Sequence, residues 1–385
     1  MDIDNQFIHV CIPAFKEESI KNTLISLHEC NKTDLNIKIS ILVNQAENAD
    51  ETTIALNKKC IRDIEEFKIG YTALDIDYKL ISFSEKTAGV GIARKTLMDN
   101  AAEKFLSQGL NGLVVALDAD TLVQKNYFTS ISEYFIDKSY EAASIFYEHP
   151  LDNQQIIEYE YHLRYYNSMQ FQAGFPFAFH TVGSAMVCTS DSYLKKGRMN
   201  KRKAGEDFYF MQKFIKDQVC GNITETTIIP SSRSSDRVPF GTGRAIMKYQ
   251  DQEYKATTYN PKSFFHLKSF NEFIDTFYDQ PNIEYNSQSS TLHEFLQNIK
   301  FDVNLKSCLK HTANKQSYLK RFYQYFDAFT LMKCLHYMRT EFPDIYISDA
   351  AHFYTETYQN EKQLSLKNAL ITLRKEEINR FRANN

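Results

Sequence analysis

The 385-residue chain carries 43% hydrophobic and 14% aromatic residues, enough for a large packed core, and its 45 Lys+Arg against 48 Asp+Glu exclude a globally basic surface for nucleic acid. Seven scattered cysteines without a C-x-x-C pair exclude a disulfide scaffold or a zinc-finger spacing and read as reduced, mostly buried thiols. The acidic start Met1-Asp2-Ile3-Asp4 lacks a secretory pattern and no apolar run reaches the roughly 18 residues of a spanning helix, so the expected location is cytoplasmic; the 24 Tyr and 29 Phe leave peripheral contact with the inner face of a membrane open.

In chain order, Phe7 to Ile12 reads as a first strand, and Pro13 with Lys16-Glu17-Glu18-Ser19 opens a helix to about His28. Ile37 to Val43 is a second strand, followed by a polar turn from Asn44 to Thr52 and a helix to about Phe67. Ile76 to Phe83 forms a third strand, Ile92 to Leu106 a helix, and Leu113 to Leu117 a fourth, fully apolar strand. Alternation of strand and helix predicts an α/β fold with a parallel sheet covered on both faces. Beyond Tyr127 the reading is a helix to about Phe135, a strand Ala142 to Tyr147, and a long helix from about Gln154 to Phe171. A strand Phe177 to Val187, a helix Phe208 to Ile215, a strand Ile223 to Ile229 and a Ser/Gly-rich loop follow. From about Ile246 the chain turns to helical periodicity, with Ser317 to Arg339 and Glu361 to Arg382 as the clearest segments.

Asp118 and Asp120 sit where the run Leu113-Val114-Val115-Ala116-Leu117 stops. Side chains at i and i+2 share one face of a strand, so these carboxylates can converge on a hard cation that also holds phosphate oxygens. An Asp-rich turn is the plainer reading of the pair taken alone. Gly205-Glu206-Asp207 leads into an aromatic helix start; acidic groups complement a helix dipole there, and a carboxylate so held can also act as a general base. Thr87-Ala88-Gly89-Val90-Gly91-Ile92-Ala93-Arg94-Lys95 offers glycines and helix amino-end donors to an anion, without being a Walker loop or a full G-x-G-x-x-G. Arg233, Arg237 and Arg244 flank the turn Gly241-Thr242-Gly243, where they could clamp a diphosphate as a lid. A solvated basic loop is the alternative.

Taken in order, Ile12-Pro13-Ala14-Phe15-Lys16-Glu17-Glu18, Gly91 to Lys95, Leu117-Asp118-Ala119-Asp120-Thr121 and Gly205-Glu206-Asp207 resemble the family 2 glycosyltransferases of GT-A fold. The likeness covers about residues 7 to 245. It implies a Rossmann-like, mostly parallel sheet carrying a nucleotide-diphosphate sugar across its carboxyl edge, with Mg or Mn bridging phosphates and Asp-x-Asp, and inverting transfer to an acceptor hydroxyl. By position, the resemblance places Pro13, Ala14, Glu17 and Asn44 beside the nucleotide, Arg94 toward nucleotide or diphosphate, Asp118 at the ribose or sugar, and Asp120, with Asp118, at the metal; it gives no firm assignment for Arg233, Arg237 or Arg244, and Gly91 and Arg237 stand as donor-binding candidates on their glycine and arginine loops alone. Asp207 is then the base, with Glu206 supporting it. Asn44-Gln45 stands where many relatives carry paired aspartates, which leaves the donor base open.

The expected organisation is a transferase domain over 1–245, with a nucleotide-sugar half 1–124 and an acceptor half 125–245, and a mainly helical region over 246–385. The expected activity is sugar transfer to a glycan or lipid-linked acceptor, placed by family analogy in cell-surface polysaccharide or glycolipid synthesis. The rival from another class is a catalytically silent nucleotide- or glycan-binding protein of the same fold. A dehalogenase-type phosphatase would place its Asp-x-Asp after the opening strand, and a nucleotidyltransferase would want a Gly-rich basic loop where Pro13-Ala14-Phe15 stands. His162 and His180 read as structural histidines, and Tyr159, Tyr161, Tyr165 and Tyr166 as helix packing, ahead of acceptor contacts.

Overall fold

Residues 2–136, 140–233, 255–362 and 364–384 are described in a computed structural model of the chain. Two compact units result, one from the described residues of Met1–Ile156, Thr181–Lys248 and Ile378–Asn385, the other from Ile157–His180 and the described residues of Tyr249–Glu377.

The first unit is built on β1 (Phe7–Ala14), β2 (Asn36–Ala46), β3 (Asp75–Phe83) and β4 (Leu113–Ala116), paired in parallel in the order β3-β2-β1-β4. β1 and β4 read as near-continuous apolar runs because they are buried on both faces, whereas β3, at the edge, is mostly exposed and interrupted by Asp, Lys and Ser. Every side chain of β4 is buried, and each such aliphatic side chain contributes about 1.5–3 kcal/mol of transfer free energy. The chain runs from β1 outward through α1 (Ile20–His28) and α2 (Glu51–Gly70), then returns through α3 (Val90–Ser107) to β4 on the other side of β1. With right-handed crossovers that reversal puts α3 on the opposite face and opens a switch point between the carboxyl ends of β1 and β4, the place where ligands bind in such sheets.

The sheet continues as β4-β7-β6-β8-β5, with β5 (Leu122–Val123), β6 (Ala142–Tyr147), β7 (Met186–Thr189) and β8 (Cys220–Ile229). β7 is antiparallel to both β4 and β6, β5 is antiparallel to β8, and β6 and β8 are parallel. The eight-stranded sheet is therefore mixed: the four strands of the first half are parallel, as expected, and the antiparallel pairings come from β7 and β5. The first helix starts at Ile20 rather than just after Pro13, because Lys16 takes a left-handed φ of +50° and the Glu17 carboxylate accepts Ser19 N–H at 2.7 Å. The run Phe177 to Val187 forms a ladder only from Met186; Phe175, Phe177 and Ala185 are buried without being strand. The remaining helices of this unit include α4 (Tyr127–Tyr134), α6 (Ser190–Lys195) and α7 (Glu206–Ile215), with α5 (Gln154–Gln172) entering the second unit at Ile157.

The second unit is mainly helical among its described residues, with a short antiparallel pair, Thr257–Thr258 with Ile345–Tyr346. The expected single helix Ser317 to Arg339 is two, Lys315–Tyr325 and Ala328–Met338, because Asp327 caps the second by accepting Thr330 N–H at 2.9 Å. Tyr161 and Tyr165 are fully buried with rings stacked at 6.2 Å, Tyr166 stacks on Tyr259 at 5.1 Å, and His162 meets the Thr258 hydroxyl at 2.8 Å. All seven cysteines are buried and free of disulfides. Among the described residues no helix is long and apolar enough to cross a membrane.

Candidate active site

At the switch point, Leu117 N–H donates to Cys11 C=O at 3.2 Å and ends the ladder, and Thr121 N–H closes a turn on Asp118 C=O at 3.2 Å. The Thr23 hydroxyl holds Ala119 C=O at 2.9 Å, so Asp118 and Asp120 project from a pinned turn and are partly open to solvent.

The second acidic motif is set by backbone conformation. Gly205 is left-handed at φ +70° and caps α7, a position where a side chain is strained. Glu206 and Asp207 then fill the first turn, with Phe208 N–H donating to Asp207 Oδ1 at 2.7 Å and Asn200 Nδ2 to Glu206 C=O at 3.0 Å.

Arg94 joins the two motifs. Its guanidinium, 2% exposed, donates from Nη2 to Asp118 Oδ1 at 2.5 Å and from Nη1 to Glu206 Oε1. The backbone of Gly183 lies so close that a Cβ there would sit 2.9 Å from both Nη atoms. Burial works against the arginine's charge, but Asp118 and Glu206 prevail and hold it protonated. Asp207 is pushed the other way, up to about 7: desolvation is the largest cause, the Glu206 charge adds to it, and the attraction of Arg94 only partly offsets both. The favourable helix amino end, worth roughly 0.3–1 kcal/mol, does not reverse this.

A second arginine forms a parallel link. Arg233 grips the buried Glu17 carboxylate with both Nη atoms, Nη1 to Oε1 at 2.9 Å, and places Nη2 2.8 Å from Asp120 Oδ2. Asn44, the other polar group at the strand ends, donates its amide to Ala14 C=O at 2.8 Å, while Asn57 holds Asn44 C=O at 3.0 Å and accepts Lys16 N–H at 2.9 Å. Its side chain therefore ties β1 to β2. Gly91 lies under the Arg202 carbonyl, 1.9 Å from where a Cβ would be. Thus Glu17 and Asp120 meet on Arg233, Asp118 and Glu206 on Arg94 with Asp207 beside them, Pro13 and Ala14 end β1 at the same edge, and Arg237 lies outside the described residues, as does Arg244.

The Arg94 and Arg233 pairings have no local sequence signal, since the partners lie up to 112 and 216 residues away. Gly183 and Asn200, absent from the sequence-derived set, are recognisable only through what they touch. His180 is placed in the second unit, where Nε2 meets Glu377 Oε1 at 2.9 Å.

Five carboxylates around two guanidiniums leave an excess of negative charge. Among the described residues no three His, Cys, Asp or Glu side chains converge as a complete metal cage. One or two carboxylates completed by substrate phosphates is the way Mg²⁺-type ions are usually held, and the donor set Asp118 and Asp120 fits that mode.

A sheet whose order reverses between β1 and β4, an antiparallel strand inserted beside β4, an Asp-x-Asp turn at the switch point and a Gly-Glu-Asp helix start beside it make up the GT-A-type arrangement anticipated from the motifs. Among solved structures, the chain is similar to S. aureus TarS 1-349 in complex with UDP-GlcNAc, at 12% identity and TM-score 0.42, over 95% of this chain and 93% of that one. It is also similar to the mannosyltransferase PcManGT from Pyrobaculum calidifontis in complex with GDP-Man and Mn2+, at 11% identity and TM-score 0.40, over 96% of this chain and 85% of that one. No family model matches the sequence, and no curated protein matches it.

Proposed function

We propose that the chain is a glycosyltransferase that moves a sugar from a nucleotide-diphosphate donor to an acceptor hydroxyl with inversion, assisted by Mg²⁺ or Mn²⁺. The observation that carries this reading is the Asp118–Arg94–Glu206 bridge, which draws the phosphate-and-metal motif and the base motif to one guanidinium. Asp118 and Asp120 would hold the ion with the diphosphate; when bound, the ion neutralises charge on the departing phosphate. Asp207 accepts the proton of the attacking hydroxyl, and its raised affinity for protons suits a base working near neutral pH. Glu206, locked on Arg94, keeps a charge beside Asp207 that sustains that affinity. Arg94 itself orients Asp118 and is spent on carboxylates, whereas Arg233 lies between Glu17 and Asp120, from which it can turn to a diphosphate. A glycan or lipid-linked chain is the acceptor, in cell-surface polysaccharide or glycolipid synthesis.

A thermal-shift screen of UDP, GDP, ADP and CDP with and without Mn²⁺ or Mg²⁺ tests the donor side. A ligand at a hundredfold excess over its Kd stabilises the folded state by about 2.7 kcal/mol, so one base should raise the melting temperature, and only with metal. Asp120→Asn should abolish the metal-dependent part. No response to any nucleotide with either ion would sink the reading, and a product of retained anomeric configuration would remove inversion.

A further inference from the structure

The segment Lys195–Lys203 carries six cations, Lys195, Lys196, Arg198, Lys201, Arg202 and Lys203, in a chain of formal net charge −3. The first three are neutralised: Lys195 by Asp191 at 2.6 Å, Lys196 by Asp217 and by Glu141 at 3.3 Å, and Arg198 by Glu103 at 2.6 Å. The last three are exposed, and among the described residues no carboxylate pairs with them. They directly precede the Gly205-Glu206-Asp207 turn.

An exposed run of lysines is ordinarily a solvated face, but this run is held in place. The Arg202 carbonyl lies against Gly91, the Arg202 guanidinium stacks 3.9 Å from the Tyr209 ring centroid, Arg202 N–H donates to Asn200 Oδ1 at 3.0 Å, and Lys203 Nζ donates to Glu85 C=O at 3.1 Å. Asn200 in turn donates to the Glu206 carbonyl. Arg202 and Lys203 are thus held between the amino ends of α3 and α7, and Lys201 precedes them in the same exposed run. Three adjacent positive groups in one place repel each other, and an anion arriving there relieves that repulsion.

We propose that Lys201, Arg202 and Lys203 form a docking strip for an acceptor whose hydroxyl is borne on a negatively charged chain of phosphate esters or carboxylates, and that the strip brings this hydroxyl to Asp207. The acceptor role rests on the transferase reading above, and it narrows the acceptor from any glycan to an anionic one.

Fluorescence anisotropy with the full chain tests the strip, using labelled inorganic polyphosphate, polygalacturonate, neutral dextran and single-stranded RNA as probes. Polyphosphate or polygalacturonate should bind at least about tenfold more tightly than dextran, a difference of about 1.4 kcal/mol, and the tighter of the two names the anion. Binding should weaken as NaCl rises from about 0.1 M to about 1 M, where the screening length falls from ~10 Å to ~3 Å. Lys201→Glu with Lys203→Glu should cost a further tenfold or so at unchanged melting temperature; if that pair fails to fold, Lys201→Gln with Lys203→Gln must show the loss instead. Equal binding of dextran, indifference of a folded variant, or RNA as the tightest probe would each overturn the proposal. Nucleotide binding without polyanion binding would remove the strip alone, whereas polyanion binding by a chain that responds to no nucleoside diphosphate would remove the transferase reading.

Discussion

The protonation state of Asp207 sets opposite demands on stability and chemistry. Its proton affinity is raised by burial and by the Glu206 charge, up to about 7. Between the ordinary carboxylate range and that value the folded chain holds a proton that the unfolded chain has released. Stability therefore falls as pH rises through this window, and above it the folded chain carries a half-buried carboxylate beside the Glu206 charge. Asp207→Asn removes that charge with little change of shape. We expect the variant to match the wild-type melting temperature near pH 4, where the wild-type side chain is neutral in the folded chain and only part-ionised in the unfolded one, and to exceed it increasingly up to about pH 7, by an amount on the order of 1–3 kcal/mol once the partial exposure of the site is set against about 1.4 kcal/mol per pKa unit. Sugar transfer should fall about 10²–10⁴-fold, the usual range for a general base. Equal melting curves for the two proteins at pH 8 would show that the side chain is not held against its charge.

Elements enter the site where backbone approaches a pinned side chain. A Cβ at Gly183 would sit 2.9 Å from both Nη atoms of Arg94. The end of an arginine normally yields, but this one is fixed between Asp118 and Glu206. Gly183→Ala should therefore cost about 1–3 kcal/mol, the usual range for overpacking, read as a lower urea midpoint, together with weaker nucleotide-dependent stabilisation. A double-mutant cycle of Gly183→Ala with Arg94→Lys should show the two positions to be coupled; additive effects, or loss of binding without any stability change, would sink the account. These contacts mark the limit of what the sequence makes legible. Leu113–Ala116, buried on both faces, advertises itself as an interior strand through uninterrupted aliphatic residues, and the turn after it follows from Asp118 and Asp120. The direction of β7 was not legible, because a buried antiparallel strand of four residues has the same composition as a parallel one and lies inside the longer apolar run from Phe177. The helix break at Asp327 was hidden as well, since a capping residue at a single position barely interrupts the periodicity. The motifs of the site were local and visible; the two arginines that bind them together act across the fold and were not.

At the scale of the whole chain, a buried ionic cluster in the second unit offers a test of how that unit is held. Arg164 donates to Glu160 at 2.6 Å and to Glu377, Arg374 grips Glu160 at 2.6 and 2.7 Å, and His180 meets Glu377 at 2.9 Å. The Arg164, Glu160 and Glu377 side chains have no exposure. Coulomb attraction at such distances is large, but so is the cost of withdrawing these ions from water, and the net worth of a buried pair is commonly near zero against a well-packed apolar replacement. Removing one partner is different, since it leaves a charge buried and unmatched. Glu377→Gln should therefore lower the unfolding free energy by about 3–5 kcal/mol, measured as a reduced midpoint in urea. Replacing Glu160, Arg164, Arg374 and Glu377 together by Met or Leu should recover most of that loss. The cluster ties α5 to the helix Leu366–Asn384, which approach each other across more than 200 residues of sequence. If Glu377→Gln costs less than about 1 kcal/mol, water reaches these groups and the cluster is a surface network in effect; if the fourfold apolar variant fails to fold, the ions specify how these helices pair rather than how tightly.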